Sequence, residues 1–169
     1  MTHPSVLRYD EHMPQTDDVT LIALKGHLLV EEVLVQLGET VLSQPQYLRD
    51  ANLSFHKLAC VVRAASGYRS DDSAWQLILS LNSFRNDLAH NLDSSKRQDR
   101  LNELFKIDEQ VQPVLGMPLD RTDDASLSES ERLRYVVIDC MEFLMQVISD
   151  ILFIQTFGYP APSKKHPPK

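Results

Sequence analysis

The stretch "LRYVVIDCMEFLMQVISDILFI", residues 133–154, decides the fold class. It contains neither glycine nor proline, and its apolar residues do not alternate as a half-buried strand would require. With successive residues advancing about 100°, Leu, Val, Ile, Met and Phe cover most of a helical circumference. Asp139, Glu142 and Asp150 interrupt the run, so it reads as a helix buried in protein rather than a bilayer span. Ser128 and Glu131 stand at the spacing of a capping box, which predicts a helix from there to about Gln155.

Working outward, "LIALKGHLLVEEVLVQLGETV", residues 21–41, has the same character. A helix is expected from Thr16 or Asp17, either of which can cap free backbone amides, to about Leu42, where "SQPQ" ends it. Leu21, Leu24, Leu28 and Val35 form one apolar stripe, and Ile22, Leu29, Val33, Leu37 and Val41 form another, so this helix should be central and covered from two directions. Gly26 lets another helix approach closely. His27 and Glu31, one turn apart, read as a polar seam on a buried helix, with a substrate contact as the alternative.

Shorter helices fill the interval. Residues 52–65 place Phe55, Leu58, Ala59 and Val62 at helical spacing and close on a turn at Gly67. A third helix, capped by Asp71, Asp72 or Ser73, runs through Trp75, Ile78 and Leu81. A fourth, over residues 94–115, turns Leu101, Leu104, Phe105 and Ile107 inward, and residues 116–128 have loop composition. The first fifteen residues, with Pro4 and Pro14, read as a loosely held arm. The tail from 158 to 169 is proline-rich and basic, and reads as disordered or as a phosphate-contacting arm. The expected architecture is an all-α, up-and-down bundle of four to five helices over residues 16–157. Five helices cannot easily cover two such apolar elements, so a second copy of the chain is expected to complete a dimer.

The formal net charge of -7 argues against a general nucleic-acid coating role, so any contact with a polyanion must use a local patch. The "SKRQDR" run at 95–100 offers one, with Lys96, Arg97 and Arg100 as candidate substrate-binding residues. Its plain alternative is a solvated face. Lys25 and Arg63 are further candidate phosphate contacts, although long cationic side chains usually snorkel. Cys60 and Cys140 lie in apolar helical patterns without zinc-site spacing, which fits a reduced, cytoplasmic protein with no export signal and no membrane segment.

The chemistry concentrates in "NSFRNDLAHNL", residues 82–92. Leu77, Leu81, Phe84 and Leu88 make the core stripe of its helix, with Arg85 at the edge. Asn82, Asn86 and His90 recur every four residues on roughly the opposite side, and are expected to point away from the bundle. A histidine can exchange a proton near neutral pH, an arginine offers a fixed fork for phosphate oxygens, and an asparagine can orient either. These functions suffice for metal-free cleavage of RNA by its own 2′-hydroxyl. Arg85 and His90 lie about 140° apart on one helix, so one copy would serve a phosphate awkwardly, whereas two copies facing each other across a dimer axis would share it. No metal or other cofactor is expected: Asp87 with His90 approximates one E-x-x-H element of a di-iron bundle, and no second exists.

"RNDLAH" at 85–90, late in a helix of an all-α chain, resembles the signature of HEPN domains, and "LNSF" and "LIALKGHLLVEEVL" are similar to the helical context of bacterial members. The resemblance covers roughly residues 17–157, of which only the short motif is diagnostic. It implies a usually dimeric bundle of four or five helices, with Arg85 and His90 forming a metal-independent endoribonuclease site assisted by Asn86. It also implies a toxin or antiviral effector, in some cases held by a nucleotidyltransferase-like antitoxin. The subgroup paired with that antitoxin commonly carries a tyrosine two positions after the histidine; Leu92 stands there, so modification of that tyrosine is not available. Other members act as binding or regulatory modules, and a non-catalytic module engaging a nucleotide, nucleic acid or regulatory protein is the alternative expectation.

Overall fold

A computed structural model describes residues 4–67, 72–90, 94–115 and 126–158. Among the described residues there are seven helices and no strand: α1 (Pro4–His12), α2 (Val19–Val41), α3 (Gln46–Asp50), α4 (Phe55–Ser66), α5 (Asp72–His90), α6 (Ser94–Leu115) and α7 (Glu129–Phe157).

Helix α2 starts one residue later than the sequence suggests, because Asp18 is the cap. Its Oδ1 accepts the amides of Thr20 at 2.8 Å and Leu21 at 3.2 Å. Thr16 accepts the Asp18 amide instead, and Asp17 accepts the Ser130 hydroxyl at 3.0 Å. The capping box of α7 forms as expected: Ser128 Oγ accepts the Glu131 amide at 3.3 Å, and Glu131 Oε2 accepts the Ser128 amide at 2.8 Å. Gly67 closes α4 with φ +58°, a left-handed conformation that costs glycine little.

The two long apolar helices, α2 and α7, pack along each other and run in the same direction. Asp17 meets Ser130 at one end, Gly26 faces Val137, and Gln155 Nε2 donates to the Thr40 carbonyl at 3.4 Å near the other. A Cβ at residue 26 would overlap the Val137 side chain, so the missing atom sets how close the helices come. Gly38 does the same toward Leu48 and Val62, seating α3 and α4 on the C-terminal half of α2. Helix α5 presses Trp75 edge-on against Phe143 of α7, with ring centroids 5.4 Å apart. Leu77, Leu81 and Phe84 are buried as the periodicity predicts, and Leu88 is half-buried against the core. The next helix, α6, buries Leu101, Leu104, Phe105 and Val111. Across it, Arg132 lays its guanidinium 4.1 Å from the Phe105 ring centre and reaches Glu109.

Four features depart from the sequence reading. The proline-containing arm carries a helix, α1, tied to α2 by an Arg8–Glu32 ion pair at 3.0 Å, and the following Met13 is buried. Residues after "SQPQ" form the short α3. Helix α4 runs the same way as α2, with Phe55 beside His27 and Val62 beside Gly38, so these two consecutive expected helices do not alternate as a strict up-and-down order requires. Finally, only one of the two apolar stripes of α2 is fully covered: Ile22, Leu29, Val33 and Leu37 are buried, whereas Leu21 and Leu28 are exposed, Leu24 is half-buried, and Val35 is half-buried against the core. Among the described residues no helix is long and apolar enough to cross a membrane. The tail from 159 to 169 lies outside the described residues, as do residues 116–125 of the expected loop.

Candidate functional site

Asn82, Arg85 and Asn86 lie in the second half of α5, and the structure corrects, for Asn82, the expectation that this side of the helix points away from the bundle; for His90 the same expectation falls outside the described residues. Asn82 is half-buried, and its Oδ1 lies 3.0 Å from Nε2 of His27 on α2. At this level helix α5 is covered on two sides: its leucine stripe faces the apolar core, and Asn82 meets the polar seam of α2. With Oδ1 as acceptor, His27 carries its proton on Nε2, which leaves Nδ1 a bare acceptor, buried and without a partner. The Phe55 ring of α4 closes over the imidazole with centroids 4.2 Å apart. Burial pushes the His27 pKa below the ordinary histidine value. Asn82 and the charge of Glu31 oppose that shift more weakly, and the Arg85 charge adds to it. His27 is therefore neutral at pH 7. The seam reading of His27 agrees with this geometry, while its closure by Phe55 had no local sequence signal.

Arg85 is half-buried, and its Nη1 donates to Asn86 Oδ1 at 3.0 Å. Among the described residues no carboxylate stands within ion-pair distance of this guanidinium. By contrast Arg8, Arg49, Arg100 and Arg132 pair with Glu32, Glu39, Asp87 and Glu109. The Arg85 fork is thus oriented by a neutral amide and has no ion-pair partner among the described residues, an arrangement that can receive an anion. His90 is the last residue of α5, a rise of about 7.5 Å beyond Arg85. The His90 side chain and Leu92 lie outside the described residues.

The basic run behaves differently from a free cationic path. A cleft where α5 meets α6 is lined by Asp87, Lys96, Asp99, Arg100 and Glu103. Arg100 reaches Asp87 through Nε at 3.0 Å and Glu103 through Nη1 at 2.9 Å, and these bonds, that to Glu103 first, raise its pKa further. Three carboxylates and two cations line the cleft, so its local charge does not by itself favour a phosphate. Arg97 is half-buried outside that lining. Arg63 lies 5.9 Å from the centre of the Trp75 ring, and Lys25 is exposed on α2.

Among the described residues no three His, Cys, Asp or Glu side chains are placed to hold a metal ion. Cys140 is buried, and its thiol is pushed well above the ordinary range by burial first, then by Asp108 and Asp139, so it stays protonated and unreactive. Cys60 is exposed, with its sulfur 3.9 Å from His56 Nδ1. No protein-family model, curated protein or solved structure matches the chain.

Proposed function

We propose that the chain is a HEPN-type, metal-independent endoribonuclease that works as a homodimer. The observation that carries the reading is the half-buried Arg85 guanidinium, held by Asn86 with no carboxylate to neutralise it among the described residues. Such a charge is ready for a phosphodiester and has the geometry to bind two of its oxygens.

In the reaction, the imidazole of His90 accepts the proton of a ribose 2′-hydroxyl as that oxygen bonds to the adjacent phosphorus. The bond to the 5′-oxygen breaks, and the departing oxygen takes a proton from an imidazolium, most simply His90 of the partner subunit. Arg85 stabilises the negative charge on the five-coordinate phosphorane, and Asn86 keeps the guanidinium aimed. Lys96 and Arg97 would guide the strand toward the site, and Arg100 would join them by leaving Asp87 and Glu103 for a phosphate. In a cell this activity suits a toxin or phage-defence effector restrained by a protein partner.

A second reading is a non-catalytic binding or regulatory module. It is favoured by the pairing of Arg100 with Asp87 and Glu103, which reduces the cationic surface next to the motif. The test incubates the full chain with mixed RNA in EDTA beside His90→Ala and Arg85→Ala. Cleavage by the wild type that disappears in both variants supports the enzyme; RNA that stays intact throughout rejects it in favour of the module.

A further inference from the structure

The partly uncovered stripe of α2 carries opposite charges along one flank. Leu21 and Leu28 are 38% and 51% exposed, and with the half-buried Leu24 and Val35 they line the outer side of the helix, away from Gly26 and its contact with α7. On the same flank of that stripe Lys25 lies about one turn before Leu28, and Glu32 about one turn after it. Lys25 is exposed, and Glu32 bonds the exposed Arg8 through both carboxylate oxygens, at 3.2 and 3.0 Å, each oxygen keeping a lone pair for a further donor that would share the charge with Arg8.

We infer that this stripe is the interface with a second copy of the chain, α2 packing antiparallel on α2 about a twofold axis at Leu28. Leu28 then meets Leu28 of the partner subunit, and Leu21 meets the partner's Val35. Antiparallel packing brings like flanks together with their order reversed, so Lys25 meets the partner's Glu32 and the same pair recurs across the axis. A parallel pairing turns those flanks apart and loses both pairs.

This geometry also places the candidate site. His27 stands about 100° around α2 from Leu28, and its bond to Asn82 fixes α5 on that side. The twofold axis is normal to the plane of the two α2 helices, so it keeps both α5 helices on one side of that plane. The two Arg85–Asn86 pairs therefore share one face of the dimer and flank its axis. The catalytic meaning of this shared face rests on the ribonuclease reading, whereas the pairing of α2 helices does not.

The experiment uses the full chain carrying Cys60→Ala, which removes the exposed native thiol, and introduces Leu28→Cys or Leu21→Cys before mild oxidation. With the axis at residue 28, the two Leu28→Cys thiols adjoin and give a covalent dimer. The two residue-21 positions lie about 21 Å apart along the helices and do not cross-link. Light scattering should give a dimer for the wild type and a monomer with unchanged helical circular dichroism for Leu28→Glu. Cross-linking at both positions or at neither, or a dimer that survives Leu28→Glu, overturns the inference. An intact α2 dimer that leaves RNA uncut rejects the ribonuclease reading alone, and full cleavage by monomeric Leu28→Glu rejects the shared face.

Discussion

His27 on α2 and Asn82 on α5 are hydrogen-bonded at 3.0 Å across 55 residues of sequence, and this bond holds Asn82 against the core helix. Its removal should be costly. Asn82→Leu leaves a buried imidazole with neither nitrogen satisfied, and the expected loss is about 1–3 kcal/mol, read from denaturant midpoints at pH 7.5. A midpoint unchanged from wild type would mean that water satisfies His27 equally well.

The same imidazole predicts an acid-sensitive fold. Burial holds its folded-state pKa below the unfolded value of 6.5, so the unfolded chain takes up the proton more readily. The contribution is complete above about pH 6.5 and is lost as pH falls toward the lower folded-state value. Thermal melts between pH 7.5 and pH 5 should therefore show a steeper decline for the wild type than for His27→Gln, whose amide can still donate to Asn82. Parallel declines in the two proteins would assign the acid sensitivity to other groups.

Gly26→Ala sets helix propensity against packing. Alanine gains about 1 kcal/mol within a helix, but its methyl would overlap Val137 where α2 packs on α7. Overpacking costs about 1–3 kcal/mol, and a net loss of stability is expected. Combining it with Val137→Ala should cost less than the sum of the two single changes, because the second makes room for the first. Strict additivity in this cycle would contradict the contact.

For the proposed reaction, Arg85→Ala should lower RNA cleavage about 10²–10³-fold, the scale for removing one preorganised donor to an anionic transition state. Arg85→Lys should restore little of it, because an ammonium lacks the planar fork that Asn86 holds. Both variants should melt close to the wild type, since Arg85 has no carboxylate partner to strand among the described residues. Full activity in the lysine variant would reduce Arg85 to a diffuse positive charge.

Arg100 offers a gain-of-function test. Asp87→Asn removes one of its two carboxylate partners and one negative charge from the cleft. RNA binding should tighten, and the salt dependence of log K should steepen by up to about one unit, the signature of an additional phosphate contact. Affinity and slope that match the wild type would remove Arg100 from the RNA path.

Local signals made much of the architecture legible. Helical periodicity marks the span of α6 and the buried Leu77, Leu81 and Phe84 of α5, while Ser128 with Glu131 and the left-handed Gly67 mark helix ends, because each acts within one turn of chain. Gly26 announces a close approach without naming Val137. The candidate site was half legible: the spacing of Arg85 and Asn86 stands in the sequence, but the absence of a carboxylate beside Arg85 among the described residues, and the two beside Arg100, are products of the fold.

The sequence by itself determined that this chain is helical, where most helices begin and end, and which residue types gather on α5. Only the tertiary structure decided which of the two stripes of α2 is buried, that α1 closes on Glu32, and that Asn82 turns inward to His27. Periodicity defines the faces of a helix by geometry within a few residues, whereas the choice of face to bury depends on partners from distant segments, and no local pattern encodes that choice.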